Sequence, residues 1–164
     1  MQILYSDRSL VACIKPVGLD SEREVPAALK EILGGEIFPI HRLDKNVGGV
    51  MVYGRTKAAA AALSKAIQEG SMVKEYVAKV HGTPPETGIL TDLLFKDSRK
   101  NKVFVVKRQR AGVKAARLAY VRLADADPCP VRIRLYTGRS HQIRAHLASI
   151  GYPILGDIKY GGGS

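Results

Sequence analysis

The sequence predicts an α+β fold with a mainly antiparallel sheet and a few helices. At 164 residues the chain has the length of one domain, and its apolar residues, 46% of the total, are enough to bury a core. Strand-like segments outnumber helical ones, and beyond residue 100 the pattern is mainly that of strands. Because many strands with few helices are typical of α+β proteins, we expect one domain over residues 1–164.

Six segments have the pattern of β-strands. Some are short apolar runs that end at glycine or proline, and others alternate between apolar and polar side chains. The alternation is clearest at residues 131–135, where one face is apolar and the other carries Arg132 and Arg134. The predicted strands are residues 10–14, 50–53, 73–80, 102–107, 115–123 and 131–135.

Three helices are predicted from capping residues and from periodicity. Pro26 stands at a plausible first helical position and Gly34 just past the end of the first helix. Thr56 can cap the second helix, and Gly70 closes it. The predicted helices are residues 26–33, 57–69 and 141–150.

The third predicted helix has two distinct flanks. Its apolar residues recur every three or four positions and form a buried stripe of Ile143, Leu147 and Ile150. At about 100° per residue, His141, Arg144 and Ala148 lie together on another flank. We therefore expect Arg144 to point into a site while the stripe anchors the helix.

Basic residues exceed acidic residues by a wide margin. The chain has 26 Lys and Arg against 15 Asp and Glu, a net charge of +11. Between Lys96 and Arg117 lie nine basic residues and a single acid, Asp97. Such a cluster predicts a polyanionic partner, because each neutralised phosphate releases a condensed counterion. Charge alone does not distinguish RNA from DNA.

Composition and motif spacing exclude several classes of protein. No apolar run approaches the ~20 residues of a membrane span, and the N-terminus lacks the regions of a signal peptide. Cys13 and Cys129 lie far apart and give neither a metal-binding spacing nor a disulfide framework. His141 and His146 are five residues apart, unlike a His-x-x-x-His metal pair. We expect a cytoplasmic protein without a membrane segment.

The segment from residue 38 to residue 49 places three chemically active side chains close together. An imidazole, a guanidinium and a carboxylate, those of His41, Arg42 and Asp44, lie between apolar residues and a pair of glycines. Such a carboxylate can serve as a nucleophile, a general base or a metal ligand. Taken alone, an Asp before a glycine turn is more often a capping or turn residue. The segment by itself leaves these alternatives open.

A second segment, residues 135–147, joins a Gly-Arg-Ser turn to the start of the third helix. Backbone N–H groups at a helix start, with the charge of Arg139 beside them, form a favourable site for a phosphate. A capped helix with a solvated basic end explains the same residues equally well. The pattern indicates a phosphate site without establishing one.

Four sequence blocks together resemble the RluA family of pseudouridine synthases. They occur in the family's order and at its spacing across nearly the whole chain. The His-Arg-Leu-Asp form of the second block is typical of this family rather than of its small-subunit rRNA relatives. The blocks are residues 15–18, 41–44, 74–82 and 137–157. The resemblance implies a pseudouridine-synthase-like catalytic domain that needs neither a metal nor a cofactor.

The resemblance also implies roles for individual residues. Asp44 corresponds to the catalytic aspartate, and Arg42 to the arginine that enters the RNA stack where the target nucleotide has flipped out. Tyr76 corresponds to the tyrosine that stacks on the target base and is a candidate for its deprotonation, and Arg144 to the arginine that pairs with the catalytic aspartate. The expected RNA contacts, from both motifs and the basic segment, are His41, Arg42, Arg139, His141, Gln142, Lys102, Lys107, Arg108 and Arg110.

The reaction that the resemblance implies makes demands that these residue types can meet. Uridine isomerisation breaks the N-glycosidic bond, turns the uracil and rejoins it through carbon, so the base must first leave the stack. Arg42 is flat and cationic and can fill the gap. Asp44 must be ionised to attack the anomeric carbon or to remove the 2′ proton, and a nearby guanidinium favours that form. The sequence does not choose between the two routes.

Two departures from the family pattern bear on this interpretation. Val47-Gly48-Gly49 replaces the usual Thr-Ser-Gly, which removes two hydroxyls but keeps the turn. The family continues with further strands where this sequence ends at Ser164, so we expect a truncated chain or a C-terminally shortened domain. We expect a monomer that acts on rRNA or tRNA. A non-catalytic RNA-binding protein on the same scaffold is the main alternative, and a DNA-binding protein is disfavoured because no recognition helix is evident.

Overall fold

Two antiparallel sheets and three α-helices form the regular structure of residues 1–163, the part of the chain that the computed structural model describes. The chain divides into two compact units, Met1–Met72 and a second unit that begins at Val73. The predicted α+β class with antiparallel sheets is confirmed. The single domain over residues 1–164 stays a prediction. Within residues 1–163, no helix is long and apolar enough to cross a membrane.

The first unit contains a four-stranded sheet in the order β1-β2-β4-β3, in which every neighbouring pair is antiparallel. Its strands are β1 (Gln2–Ser6), β2 (Leu10–Lys15), β3 (Phe38–Pro39) and β4 (Gly49–Gly54). Its helices are α1 (Glu24–Leu33) and α2 (Lys57–Gln68). The core of the unit consists of Val11, Cys13, Val25, Leu29, Met51 and Tyr53.

Strand β2 shows how the sequence pattern builds this unit. Its residues alternate between half-buried and buried positions, so Val11, Cys13 and Lys15 point to the same inward side. Lys15 therefore occupies a core-facing position at the end of the strand, and its residue is wholly buried. The strand places an ammonium group beside the loop that precedes β4.

The helices of the first unit begin close to the predicted positions. Thr56 caps α2, since its Oγ1 accepts a hydrogen bond from Ala59 N at 3.0 Å. Helix α1 begins at Glu24, earlier than predicted, so Pro26 stands within the first turn rather than at its first position. Proline is accepted there because the first N–H groups of a helix have no partner within the helix.

The second unit contains a five-stranded antiparallel sheet in the order β5-β9-β8-β6-β7. Its strands are β5 (Lys74–Val80), β6 (Thr87–Asp97), β7 (Lys102–Val106), β8 (Val113–Arg122) and β9 (Cys129–Leu135). Helix α3 (Gln142–Ser149) packs on one face, and a 3-10 helix (Ile158–Tyr160) follows it. The core consists of Val80, Leu118, Tyr120, Cys129, Val131, Ile133 and Leu147.

Strands β1, β3 and β6 are absent from the sequence-based prediction. The most informative omission is β6, the longest strand, whose alternation is interrupted by Gly88 and by adjacent apolar residues. Gly88 lies opposite Tyr120 in β8, and the tyrosine ring occupies the space that a Cβ at residue 88 would need. The glycine that weakens the strand pattern in the sequence therefore lets the aromatic ring pack across the strand.

Candidate active-site residues

Asp44 lies in the loop between β3 and β4, and a buried ammonium group holds this loop. Lys15 Nζ donates to the carbonyl oxygens of Pro16 at 2.9 Å, Leu19 at 2.9 Å and Lys45 at 3.1 Å. An ammonium has three N–H donors, so main-chain carbonyls satisfy all of them. The sequence signals a strand end at Lys15 but gives no sign of this contact, because the lysine and the loop are far apart along the chain.

Further backbone bonds tie the same loop to the segment that follows β2. Gly18 N donates to Lys45 O at 2.7 Å. Leu43 N donates to Ser21 Oγ at 3.2 Å, and Ser21 is itself buried. Hydrogen bonds to its main-chain atoms therefore fix the loop on both sides of Asp44, and they do not involve the Asp44 side chain.

The side chains of Asp44 and Arg42 are exposed and loosely paired. Arg42 Nη2 lies 3.8 Å from Asp44 Oδ1, and Arg42 Nε lies 3.7 Å from Glu22 Oε1. The two side chains of the first pair are 72% and 56% exposed. Exposed ion pairs of this kind contribute roughly 0–1 kcal/mol. Arg42 can therefore leave its partners easily, as a side chain that enters an RNA stack must.

His41 fixes the start of the loop against β4. Its Nε2 accepts a hydrogen bond from Val52 N at 3.1 Å. A ring nitrogen that accepts an N–H carries no proton, so the bond requires the neutral ring with its proton on Nδ1. This contact gives His41 a structural role, and its contact with RNA stays a prediction.

In the second unit, Arg144 of α3 is locked in a bidentate ion pair with Asp157. Arg144 Nε lies 2.8 Å from Asp157 Oδ2, and Nη2 lies 2.8 Å from Oδ1. The Asp157 side chain is 8% exposed and that of Arg144 is 31% exposed. Two parallel charge-assisted bonds fix the plane of the guanidinium. The predicted pairing of Arg144 with Asp44 stays a prediction.

Tyr160 packs beneath the predicted flank of α3. The Arg144 guanidinium carbon lies 4.8 Å from the centre of the Tyr160 ring. Ala148 packs against the group of buried residues to which Tyr160 belongs. The Tyr160 hydroxyl accepts a bond from Val103 N at 2.8 Å and lies 2.8 Å from His141 Nδ1. Burial raises the pKa of the Tyr160 phenol above its usual value, and the Val103 N–H and Arg144 partly offset this. The expected flank of the helix is thus confirmed.

Tyr76 lies on the inward face of β5, opposite Ile133 in β9. It is half-buried and packs against the core cluster of the second unit. The ring is therefore held at its base by the core while part of it reaches the surface. Its contact with a target base stays a prediction.

The turn that enters α3 is organised by Gln142. This residue is 2% exposed, and its Oε1 accepts bonds from the Thr137 hydroxyl at 2.8 Å and from Arg139 N at 3.0 Å. Its Nε2 donates to Arg117 O at 3.1 Å. His141 precedes the helix with φ of 49°, so α3 begins one residue later than predicted. These bonds assign Gln142 a structural role, and its contact with RNA stays a prediction.

A cationic cavity of about 160 Å³ lies beside this turn. The side chains of Lys96, Lys114 and Arg139 line it together with Ser140, and no acidic residue of the described chain is among its lining residues. Arg139 Nε donates to Ala115 O at 2.9 Å, which holds the guanidinium at the rim. The cavity has the charge and the size that suit a phosphate group.

The predicted basic surface consists of the edge strand β7 and the turn that connects β7 to β8. Lys107, Arg108 and Arg110 are exposed in the turn, and Lys102 is half-buried near the start of β7. The Arg110 guanidinium carbon lies 4.4 Å from the centre of the Phe95 ring. These side chains are therefore accessible to a polyanion, and their contact with RNA stays a prediction.

His146 is a buried residue that the sequence pattern does not explain. Its Nε2 lies 3.4 Å from Asp92 Oδ2, within ion-pair range, yet neither ring nitrogen has a hydrogen bond of good geometry to any residue from 1 to 163. Burial lowers the pKa of His146, and the Asp92 carboxylate opposes this. His146 is therefore a neutral core residue. Across residues 1–163, His, Cys, Asp and Glu side chains form no group of three that could hold a metal ion.

Comparison with known proteins identifies the family. A family model described as RNA pseudouridylate synthase matches residues 10–149. The chain is 35% identical to the dual-specificity RNA pseudouridine synthase RluA of Escherichia coli, over 96% of this chain and 76% of that protein. It is 41% identical to an uncharacterized RNA pseudouridine synthase of Chloroflexus aurantiacus, over 79% of this chain but 41% of that protein.

A solved structure shares the fold. The human RNA pseudouridylate synthase domain containing 4 superposes with a TM-score of 0.81 at 30% identity, over 97% of this chain and 68% of that one. The match of the family model and the similarity to RluA cover nearly all of both units described above. The chain therefore belongs to the RluA family of RNA pseudouridylate synthases, which are isomerases.

Proposed function

We propose that this chain converts a specific uridine in rRNA or tRNA to pseudouridine, with Asp44 as the catalytic carboxylate. The observation that carries the proposal is an exposed carboxylate on a backbone that a buried ammonium fixes. A reaction at a sugar carbon inside a large RNA needs a group that is accessible and also held in direction. Membership of the family supplies the reaction class.

Arg42 replaces the flipped nucleotide in the proposed mechanism. The target base must leave the RNA stack before any group can reach its sugar, and the gap must be filled. The loose ion pairs of Arg42 with Glu22 and Asp44 support this role, because they hold the side chain near the loop at little free-energy cost. Its flat guanidinium can stack on bases and contact phosphates.

Asp44 acts in its ionised form, by attack on the anomeric carbon or by removal of the 2′ proton. The proposal keeps Arg144 as the cation that favours this form once RNA has displaced water. The bidentate pair with Asp157 supports that role, because it fixes the plane in which the Arg144 guanidinium presents its charge. No step of the proposal requires a metal or a cofactor.

Tyr76 is the proposed partner of the target base. A half-buried ring anchored in the core offers a rigid face on which a uracil can stack. The C5 proton must leave the uracil after the new carbon–carbon bond forms, and the oxygen of Tyr76, in its ionised phenolate form, is the candidate group to accept it.

Two basic features are proposed to hold the RNA backbone. The cavity lined by Lys96, Lys114 and Arg139 takes a phosphate, and the turn with Arg108 and Arg110 contacts the backbone further along. His41, His141, Gln142, Lys102 and Lys107 complete the proposed set of RNA contacts. A cytoplasmic monomer is part of the same proposal. The buried free thiols of Cys13 and Cys129 are compatible with a reducing compartment.

Release of tritium from 5-tritiated uridine tests the activity directly. In this isomerisation the uracil C5 hydrogen is lost after the base has been rejoined through C5, so tritium in water, together with pseudouridine in the digest, reports the complete reaction. Labelled bulk rRNA and tRNA are incubated with the chain, and the RNA is then digested to nucleosides. We expect tritium release from at least one RNA class, matched by an equal amount of pseudouridine.

Two results would contradict the proposed activity. Tritium release without pseudouridine would indicate another reaction at C5. RNA binding without tritium release from any RNA would support the non-catalytic RNA-binding alternative.

A further inference from the structure

One face of the five-stranded sheet lies opposite α3 and is open to solvent. Directly paired residues on neighbouring strands share a face, and the pairs Val77↔Arg132, Arg132↔Val121 and Arg134↔Ala119 define this one. Strand β6 extends it through Ile89 and Thr91. The residues of the opposite parity form the core beneath α3.

This open face combines positive charge with exposed apolar groups. Val77 is 69% exposed and Ile89 is 63% exposed. Its basic residues in β5, β8 and β9 are all exposed, namely Lys79, Arg117, Arg132 and Arg134. Among its acidic residues in the described strands, Glu75 lies beside Arg134, and Asp97 uses its carboxylate on backbone N–H groups. The net charge of the face is therefore positive.

At the centre of the face an exposed tyrosine stands between two arginines. The guanidinium carbons of Arg117 and Arg134 lie 5.0 Å and 5.4 Å from the centre of the Tyr136 ring. Tyr136 N donates to Arg117 O at 3.0 Å, which fixes the ring next to β8. The tyrosine is 50% exposed, so the ring and the two planar cations form a surface on which flat groups can stack.

The same face continues with two further rings toward β7. Phe95 pairs directly with Phe104, and the parity of Phe95 matches that of Arg117 through Val113. Arg110 covers Phe95, and Lys102 Nζ lies 5.4 Å from the centre of the Phe104 ring. The exposed part of the face runs from β5 to β6 and spans three strand spacings of ~4.8 Å, or about 14 Å.

These features match one partner chemistry. A polyanion is favoured by the charge, and flat groups are favoured by the exposed Tyr136 ring and the guanidinium planes beside it. Duplex RNA offers phosphates but keeps its bases within the stack, whereas single-stranded RNA offers both. An acidic protein surface would use the cations and leave the rings without stacking partners.

We propose that this open face, centred on Arg117, Arg134 and Tyr136, binds a single-stranded segment of the substrate RNA away from the modified nucleotide. The proposal rests on the proposed function for the identity of the polyanion. It adds a second contact surface, on the side of the second sheet that faces away from Tyr76 and α3. Through it the chain selects RNAs that carry an unpaired segment at a distance from the target uridine.

Two sets of variants test the face. The first set is Tyr136→Ala with Tyr136→Phe beside it, and the second is the pair Arg117→Gln and Arg134→Gln. The matched control for the second set is Arg8→Gln with Arg23→Gln, two exposed arginines of the first unit whose loss gives the same net charge. Circular dichroism of each variant checks the fold. The probe is a labelled twelve-nucleotide oligouridine, with a duplex RNA of equal length as competitor.

We expect Tyr136→Ala to lower the affinity for oligouridine about tenfold, as loss of one stacking ring does, while Tyr136→Phe keeps it. The Arg117 and Arg134 pair should lower it by a similar factor, and the control pair by less than about twofold. Duplex RNA should compete poorly with oligouridine for binding to the parent chain. The Tyr136→Ala variant should lose this preference for single strands.

Three outcomes would overturn the inference. Equal losses in both arginine pairs would mean that net charge alone is measured. An unchanged affinity in Tyr136→Ala would show that stacking on this ring does not contribute to RNA binding. A parent chain that sediments as a dimer, and becomes a monomer on the Arg117 and Arg134 change, would assign the face to a second copy. Tritium release by the parent is measured separately, so the binding result can be interpreted even if the chain shows no activity.

Discussion

Asp44 and Arg144 are held in place by different means, one through its backbone and the other through its side chain. In the first unit, Lys15 gathers three main-chain carbonyls, so the backbone is fixed while the Asp44 side chain stays 56% exposed. In the second unit, the side chain of Arg144 is itself locked, by two bonds of 2.8 Å to a carboxylate that is 8% exposed. The carboxylate can turn toward a substrate, whereas the guanidinium presents a fixed plane.

This difference indicates which substitutions should change stability or activity in each unit. The Asp44 loop should depend on the buried Lys15, and the orientation of the Arg144 guanidinium should depend on the Asp157 carboxylate that accepts two hydrogen bonds from it. Changes to the exposed side chains of the loop should alter chemistry or RNA binding and leave stability almost unchanged.

Lys15→Met should have the largest effect on stability. Methionine removes the cost of burying an ammonium, but it leaves three carbonyls without their charged donor, so we expect a net loss of about 3 kcal/mol of unfolding free energy. The displaced loop should also slow tritium release about a hundredfold. Urea unfolding measures the first effect, and Lys45→Met, an exposed lysine of the same loop, is the control. Stability and rate both equal to the control would show that the loop does not need the buried ammonium.

Asp157→Asn should have the next largest effect. Asparagine keeps the shape but loses the charge, so the half-buried guanidinium of Arg144 exchanges a bidentate carboxylate for a neutral acceptor at residue 157, at a cost of about 2 kcal/mol. Tritium release should fall as well, because the plane of Arg144 is no longer fixed. Urea unfolding and tritium release are compared with Asp125→Asn, an exposed acid of the same unit. A loss of stability without any change in rate would limit Asp157 to a structural role.

His146 should make the second unit sensitive to acid. Its pKa is lowered in the folded chain by burial, so the neutral ring contributes stability above the ordinary pKa of about 6.5, and this is lost as pH falls below that value. The unfolding free energy of the parent should therefore fall more between pH 7.5 and pH 5.5 than that of His146→Leu. Parallel pH profiles for parent and variant would assign the acid sensitivity to other groups.

Arg42→Ala should have the smallest effect on stability. Its ion pairs are long and exposed, so we expect a change of about 0.5 kcal/mol or less in unfolding free energy. Tritium release should nevertheless drop, because nothing then fills the gap left by the flipped nucleotide. Arg23→Ala in the same unit is the control. A large loss of stability would show that Arg42 belongs to the scaffold after all.

Local patterns were sufficient for much of the fold. The Thr56 cap, the alternation in β5 and β9 and the flank shared by His141, Arg144 and Ala148 all depend on neighbours within a few positions. Strand β6 was not predicted, because Gly88, which makes room for Tyr120, interrupts its pattern. That requirement comes from another strand and has no local signature.

The candidate site was less accessible to sequence reasoning. The role of Asp44 comes from the family resemblance, since a lone aspartate before a glycine turn is ambiguous. The role of Lys15 depends on carbonyls brought to it by folding. Asp157 belongs to a block that the resemblance covers, yet its pairing with Arg144 depends on the turn after α3. Such contacts between distant positions leave no periodic trace.

The central claim, that the exposed carboxylate of Asp44 performs the chemistry, is tested most directly by Asp44→Asn. Tritium release is measured with enzyme in excess over RNA, and RNA affinity is measured on the same RNA, beside Glu31→Gln at an exposed acid of the same unit. We predict that the Asp44 variant reacts at least about a thousandfold more slowly. Its RNA affinity should stay within about threefold of the parent's, since an exposed charge contributes little. Tritium release at the parental rate would contradict the account.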